Sequence, residues 1–460
     1  VFLVCFGVLH VFKKITTAID STEYTTEAGS DIVIDGTDND ADPDKDHKNG
    51  KNDGNGEAGP SGDIEETQDE IGTKETHIRR ETGYKGWNKT IEQVWPAVPQ
   101  ELPYAPPKII QATDVHYQSA DAEDDGAAFQ LFVERCDGKV VKYLPQLLDA
   151  FMNQVIAEKP SALVLSGDIT MNGEKINHEE LARKLGKVQE AGIPVLVIPG
   201  NHDINNPNAA VYFGDEKTAA DSVTPEEFYD IYHMYGYDQA ISRDSTSLSY
   251  VYQLDERNRL LMLDSCQYEP ENLVEGRIKA ETLVWMDEQL KKAQEDGMQI
   301  LPIAHHNLLA QSRMYTTQCA MDNNGEVIDL LQKYKIPLFL SGHLHVQRIR
   351  KHKAEPGVAD DAYGIQEIVT DAISIPPCQY GILQWKADGS MEYSTESVDV
   401  SAWARRTGQE NTDLLDFETW SEEYLQKLIS DQIGGVVRNV GSDVKRSMAE
   451  TYADVYIDYY

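Results

Sequence analysis

Val195-Leu196-Val197-Ile198-Pro199-Gly200-Asn201-His202-Asp203 runs four aliphatic residues into a Pro-Gly turn and then into three polar side chains. A short, unbroken apolar run closed by a turn reads as a strand buried on both faces, the kind found in sheets covered by helices. Asn, His and Asp at the mouth of such a strand each need a partner once they leave water. Folding alone gives no reason to put them there. The stretch marks a site as well as a strand.

Working outward, the same pattern recurs in KIIQAT (108–113), SALVLS (161–166), RLLML (259–263), QILPIA (299–304) and PLFLS (337–341). Helical patterns intervene. One starts at Asn177 as N-cap with Glu180 three residues on, carries Leu181, Leu185 and Val188, and ends at Gly192. Others span 281–297 and 326–335. This alternation means an α/β domain with its sheet covered by helices. QYGILQWKADGSMEYSTESV (379–398) reads as a hairpin turning at Asp388-Gly389. After Ser401 the pattern is helical, with Thr419-x-x-Glu422 as a capping box and Val444, Met448, Tyr452, Val455 and Tyr459 as one apolar stripe. The stripe runs to Tyr460 without a stop signal, which suggests that this helical region continues further.

The formal net charge of -37 is uneven: Asp20 to Glu81 carries 19 acidic against 6 basic residues. So acidic a chain repels polyanions, which excludes nucleic acid as an expected partner and requires a local positive site for any anionic substrate. The segment 20–105 reads as an acidic disordered linker and lead-in, too poor in apolar residues to offset its ordering entropy up to Glu81, then Trp- and Pro-rich. Asp42-x-Asp44-x-Asp46 is no calcium loop, because His47 stands where the sharp-turn Gly is needed. Residues 1–19 open with the apolar run VFLVCFGVLHVF and then Lys13-Lys14. They read as the remnant of a signal peptide or membrane anchor, with Thr16-Thr17-Ala18 as a loose cleavage match. An ordinary buried segment is the competing reading. Export to the cell envelope or beyond follows from the first; the two lysines equally fit a cytoplasmic-side anchor, which leaves the cytoplasm as the alternative. Cys5, Cys136, Cys266, Cys319 and Cys378 show no C-x-x-C pair, so neither a zinc ribbon nor a disulfide scaffold is expected. The organisation expected is a catalytic domain at 106–400 and a helical domain at 401–460.

Five strands end in metal-binding or acid–base side chains. ATDVHYQ carries Asp114 and His116, LSGDIT carries Asp168, PGNHD carries Asn201, His202 and Asp203, IAHHN carries His305 and His306, and SGHLH carries His343 and His345. Carboxyl ends of strands are where α/β sheets place their sites. The order D-x-H, G-D-x, G-N-H-D, H-x, G-H-x-H resembles the calcineurin-like metallophosphoesterases over about Lys108 to Gln347. SGDITMNGE, VIPGNHDINNP and SGHLH resemble most the bacterial cyclic-nucleotide phosphodiesterase branch with a helical C-terminal domain. The protein Ser/Thr phosphatases of the superfamily show G-D-x-V-D-R-G and G-N-H-E; this chain has Gly167-Asp168-Ile169-Thr170 and Asp203 instead.

The resemblance implies an α/β sandwich of two mixed β-sheets flanked by helices, with an α-helical C-terminal extension. It implies one metal ion on Asp114, His116, Asp168 and His345 and a second on Asp168, Asn201, His305 and His343. Oxygen and imidazole donors without thiolate suit two Mn, Fe or Zn ions, and a bridging Asp168 holds them roughly 3.5 to 4 Å apart. Two divalent ions against two ligand carboxylates and a bridging hydroxide leave a positive site for a small phosphodiester. That hydroxide is the expected nucleophile on 3',5'-cyclic nucleotides; a phosphomonoesterase or nucleotidase of the same superfamily is the alternative. Asn201 and His202 face the substrate, His202 as proton donor to the departing alkoxide, and Asp203 orients that imidazole through its other nitrogen. Two departures stand out. QSADAEDDGAAFQLFVERCDG (118–138) lengthens the gap between the first two motifs and is expected to form an acidic loop near the pocket. His305-His306-Asn307 replaces the usual H-x-P, and alignment on the strand end favours His305 as the ligand. His306 and Asn172 read as pocket residues, and His178 and His233 as surface residues of helices.

Overall fold

In the computed structural model, residues 88–91, 104–311, 318–352 and 364–436 are described. All of them fall in one of the two units into which the chain divides, the other being Thr17–Tyr84. The apolar N-terminal run, the acidic linker and the stripe from Val444 to Tyr459 lie outside the described residues.

Two mixed sheets form the framework. In spatial order, the first contains Asn88–Ile91, Met391–Ser397, Gln379–Trp385, Lys108–Ala112, Ala162–Ser166 and Val195–Ile198, the last three parallel. The second contains Arg348–Lys351, Gln366–Val369, Leu338–Ser341, Gln299–Ala304, Asn258–Leu263, Tyr250–Gln253 and Ser242–Arg243. Its four strands from Gln366–Val369 to Asn258–Leu263 are parallel. The unbroken apolar runs follow from two-sided burial. Leu260, Met262, Leu301, Ile303, Leu338 and Leu340 join the core that includes Ile109, Ile110, Leu163 and Leu196 of the first sheet. The alternate residues Leu261, Leu263, Ile300 and Phe339 belong to a second cluster with Met286, Leu290, Val327 and Leu331 of the helices Ala280–Glu295 and Asn324–Lys333. Period-two alternation thus gives each strand two apolar faces.

The helices Leu144–Glu158 and Lys175–Glu190 add Leu148, Phe151, Leu181 and Leu185 to the first core. The C-terminal helices Val400–Thr407, Thr412–Leu415 and Phe417–Val436 join it through Trp403, Leu414 and Phe417. The Tyr143 ring meets Trp420 edge-on at 4.7 Å, and its hydroxyl donates to Asp413 Oδ2 at 2.6 Å. The expected hairpin is present, Gln379–Trp385 pairing with Met391–Ser397 across Asp388-Gly389.

Four sequence expectations are corrected. The second helix begins at Lys175, and Asn177 lies inside it because its buried amide oxygen accepts the Ser119 N–H at 2.8 Å. His178 is fully buried, not on the surface, bonded to the Asp203 carbonyl at 2.9 Å and the Tyr232 hydroxyl at 3.0 Å. The insertion is not a plain acidic loop: its apolar half folds as the helix Ala127–Val133, whose Phe132 stacks on Tyr212 at 4.5 Å. Thr419 is no N-cap, since the last helix starts two residues earlier at Phe417, whose buried ring joins Tyr143 and Trp420.

Candidate metal centre

The strand-end turns of both sheets converge. Asp114, His116, Asp168 and His345 form one buried group and His305, His306 and His343 another, the donor atoms of each group lying within 4.8 Å of one another. Five of these residues have left-handed backbone: Asp114 (φ 53°), His116 (46°), Asp168 (48°), His343 (72°) and His345 (52°). Non-glycine residues rarely adopt this region, and it turns their side chains out of strand alternation toward one point.

Asp168 stands between the groups. Its Oδ1 accepts the His202 N–H at 2.8 Å. Its Oδ2 lies 3.3 Å from His305 Nε2, 3.8 Å from His116 Nε2 and 4.0 Å from His202 Nε2. Asp114 Oδ1 is 3.0 Å from His345 Nε2 and 3.9 Å from His116 Nε2, and these two nitrogens face each other at 3.2 Å. Asn201 Oδ1 is 3.2 Å from His305 Nε2.

The ring tautomers sort donors from neighbours. His305 Nδ1 donates to the Ser166 carbonyl at 3.0 Å, which directs Nε2 at Asp168 and Asn201. His306 has both nitrogens engaged, Nδ1 accepting from Ser265 Oγ at 2.8 Å and Nε2 donating to the Val274 carbonyl at 3.0 Å. His343 Nε2 donates to the Gln318 carbonyl at 2.8 Å, and its ring lies 5.1 Å from that of His305.

His202 is the accessible member, its side chain 33% exposed. Asp203 does not orient it. His202 Nδ1 donates instead to the Met171 carbonyl at 2.7 Å and lies 3.2 Å from Asn172 Oδ1. The Asp203 carboxylate is buried on the opposite side of the turn and accepts Gly200 N (2.8 Å), Ile169 N (3.2 Å), Thr170 N (2.9 Å) and Thr170 Oγ1 (2.8 Å). It ties the PGNHD turn to the GDIT turn. Burial, reinforced by the Asp168 charge, pushes its pKa up to about 7.

The residues present fit metal ions. Asp114 and Asp168 are buried carboxylates whose ion-pair partners among the described residues are histidines only. Asp114 Oδ1, His116 Nδ1 and His345 Nδ1 are buried without a hydrogen-bond partner. Burial works to raise Asp168, but the His305 and His202 imidazoles hold it well below the usual carboxylate range. His305 is opposed by burial and pushed up to about 9 by Asp168. In the pair a proton on His305 faces the Asp168 carboxylate, a position that a metal cation can take over. The donor set of oxygens and imidazoles suits Mn, Fe or Zn.

The sequence profile of the calcineurin-like phosphoesterases matches residues 107–347. The chain belongs to this family. A second profile, the C-terminal domain of cyclic nucleotide phosphodiesterase, matches residues 399–460. A protein of Synechococcus sp. named "probable cyclic nucleotide phosphodiesterase" is 26% identical over 187 residues, 40% of this chain and 58% of that protein. The chain thus matches little more than half of that relative's length. One of the same name from Ruthia magnifica is 26% identical over 199 residues, 43% of this chain and 68% of its own. Among solved structures, a dimetal phosphatase from Danio rerio aligns at 16% identity and a TM-score of 0.42, over 61% of this chain and 93% of that one.

In this phosphoesterase most of the supporting residues lie outside the motifs in sequence. Thr113 Oγ1 donates to Asp114 Oδ2 at 2.7 Å, Ser374 Oγ to the Asp114 carbonyl at 2.7 Å, and Asn272 Nδ2 to the Asn201 carbonyl at 2.8 Å. The buried Glu367 accepts Leu308 N and Ser341 Oγ on one oxygen and Leu309 N and Gln311 Nε2 on the other, all at 2.7–2.8 Å. It joins the segment after His305 to the strand before His343. Of these residues, Thr113 alone adjoins a motif and could have been singled out.

Proposed function

We propose that this chain hydrolyses phosphodiesters at a centre of two metal ions, with 3',5'-cyclic nucleotides as the substrate class. The observation that carries the proposal is the position of Asp168 Oδ2, 3.3 Å from His305 Nε2 on one side and 3.8 Å from His116 Nε2 on the other. One carboxylate between two donor groups is the arrangement that bridges a metal pair. Asp114, His116, Asp168 and His345 would hold one ion and Asp168, Asn201, His305 and His343 the other. When bound, such ions polarise a phosphoryl oxygen and lower the pKa of water toward about 7. The C-terminal profile and the names of the two relatives support the cyclic-nucleotide class.

The chain's own groups do the rest. His202, locked by the Met171 carbonyl with Nδ1 protonated, presents Nε2 to the centre and can carry the proton that the leaving alkoxide takes. Asn201 adds an amide rather than a third carboxylate, so the site keeps its attraction for an anion. The acidic surface repels larger polyanions, which favours a small substrate.

The test is turnover by manganese-loaded protein of cyclic AMP, a simple diester and a monoester, beside metal analysis. Hydrolysis of the diesters supports the proposal; turnover of the monoester alone overturns it in favour of a phosphomonoesterase. His202→Ala should lower kcat by about 10²- to 10⁴-fold and leave metal content intact. Loss of both metals in that variant would make His202 a ligand.

A further inference from the structure

The turn Thr170-Met171-Asn172-Gly173-Glu174 joins the Asp168 motif to the helix Lys175–Glu190 and is fixed at several points. The buried Glu174 carboxylate accepts Asn172 N and Asn177 Nδ2 on one oxygen, both at 2.8 Å, and Ala210 N on the other at 3.2 Å. From the segment 221–223, Val223 N donates to the Gly173 carbonyl and the Asp221 carbonyl accepts Lys175 N, each at 3.0 Å. Gly173 has φ +76°, and a Cβ there would stand 2.7 Å from both the Asp203 carbonyl oxygen and Ser222 Oγ. So firm a turn holds in place whatever it presents.

What it presents to His202 is a pair of acceptors. The ring's Nδ1 lies 2.7 Å from the Met171 carbonyl and 3.2 Å from Asn172 Oδ1. A carbonyl only accepts, so Nδ1 carries the hydrogen, and the atom of the Asn172 amide that faces it must be the oxygen. This contact is the one side-chain hydrogen bond that Asn172 makes among the described residues. Its amide therefore braces no other part of the turn, whose backbone is held by Glu174. The need for a second acceptor follows from exposure. His202 is the accessible member of the site, and its ring meets His116 edge-on at 4.8 Å. On one acceptor such a ring can swing about the hydrogen bond; two acceptors on one N–H fix its plane.

We propose that Asn172 is the positioning residue of His202, its amide oxygen sharing the Nδ1 hydrogen with the Met171 carbonyl so that Nε2 is aimed at the leaving oxygen of the substrate. It takes the role expected of Asp203, whose carboxylate is spent on Gly200, Ile169 and Thr170. The proposal rests on the phosphoesterase reading above. In the step, the P–O bond breaks with its electron pair on the leaving oxygen, Nε2 gives its proton to that oxygen, and the ring passes from imidazolium to neutral imidazole. The Nδ1 hydrogen is present before and after. The bond to Asn172 thus persists through the transfer and keeps the donor aligned.

The experiment compares full-length, manganese-loaded wild type with Asn172→Leu and Asn172→Asp, with metal content as control. Rates on cyclic AMP, whose leaving alkoxide needs a proton, are set against bis-p-nitrophenyl phosphate, whose leaving phenolate does not. Losing one neutral hydrogen bond should lower kcat on cyclic AMP about three- to tenfold in Asn172→Leu, with KM and metal content close to wild type and a smaller loss on the aryl diester. Asn172→Asp, which keeps an acceptor for Nδ1, should recover most of the cyclic AMP rate. Equal losses on the two substrates, or a wild-type rate on cyclic AMP, overturn the proposal. Zinc-loaded protein with ring-labelled histidine gives a readout that needs no turnover: nuclear magnetic relaxation at His202 Cε1, assigned through His202→Ala, should show a more mobile ring in Asn172→Leu than in wild type. An equally rigid ring overturns the proposal whatever the rates. Should Asn172→Leu fail to fold, Asn172→Ala carries the same expectations. If the wild type cleaves neither substrate, or the aryl diester alone, while the ring loosens in Asn172→Leu, the functional reading fails and the positioning role stands.

Discussion

Replacing Gly200 by Ala tests directly how the PGNHD turn meets Asp168. A Cβ at this position would stand 2.1 Å from Asp168 N, 2.2 Å from Asp168 Oδ1 and 2.9 Å from Asp168 Cα. Carbon contacts settle at about 3.5 Å, so a gap of more than about 1 Å must open between the two turns. Neither side yields easily. Asp168 is held at φ 48°, and its Oδ1 is bonded to His202 N. Overpacking of this kind costs about 1–3 kcal/mol of stability, and a displacement of about 1 Å in a reacting site costs on the order of 10²-fold in rate. The variant should fold, melt earlier in thermal unfolding, bind less metal by mass spectrometry and hydrolyse a diester about a hundredfold more slowly. Gly325→Ala is the control: it lies in the helix Asn324–Lys333 with no atom within 4 Å of a new Cβ, and should gain up to about 1 kcal/mol. Wild-type metal content and rate in Gly200→Ala would refute the packing of the two turns and with it the central place given to Asp168.

Two further predictions concern buried carboxyls. Asp203→Asn replaces one oxygen that accepts two bonds by an amide that must donate, so at least one backbone N–H of Gly200, Ile169 or Thr170 loses its acceptor; the expected loss is about 1–3 kcal/mol in urea unfolding, and unchanged stability would contradict the assigned network. Glu367 is pushed by burial up to about 7, against the pull of its four donors. The native state therefore holds a proton that the unfolded chain, with a carboxyl near about 4.3, has already released. This contribution is complete below the unfolded pKa and is lost as pH rises to about 7, a swing on the order of 3 kcal/mol. Measured against Glu367→Gln in urea, wild-type stability should fall relative to the variant between pH 5 and pH 8. A constant difference would refute it.

The six continuous apolar runs were legible because both faces of those strands are buried, so the signal needs no partner to be seen. Gln366–Val369 and Arg348–Lys351 were not, because QEIV and RIRK become strands only by pairing with the sheet edge beside Leu338–Ser341. The same contrast runs through the site. Asp114, His116, Asp168, Asn201, His305, His343 and His345 sit at strand ends, where position in the chain already implies a common edge. Asp203 misled because neighbours on a tight turn point opposite ways: His202 faces the opening while Asp203 is buried against the GDIT turn. Glu367, Ser374 and Gln318 carry no local signature, being single polar residues that only tertiary contact brings to the centre.

Left-handed backbone at five histidine and aspartate positions bears on what metal removal should do. Each such residue costs on the order of 1 kcal/mol or more, so the surrounding structure must over-determine it. The restraints are visible: Asp114 N donates to the Gly167 carbonyl at 3.1 Å, His116 N to the Asp168 carbonyl at 2.8 Å, Tyr117 N to the Ile169 carbonyl at 2.9 Å, and His343 N to Asp114 Oδ2 at 2.9 Å. These bonds are made by the main chain and by buried side chains, and none needs an ion. A small metal-folded domain, by contrast, unfolds when its metal is taken away. Here chelation should lower the melting temperature, because ions that bind only the native state stabilise it by mass action, yet leave the near-ultraviolet circular dichroism at 20 °C unchanged. Loss of that tertiary signal on chelation would show that the ions, and not the hydrogen-bonded turns, shape the site.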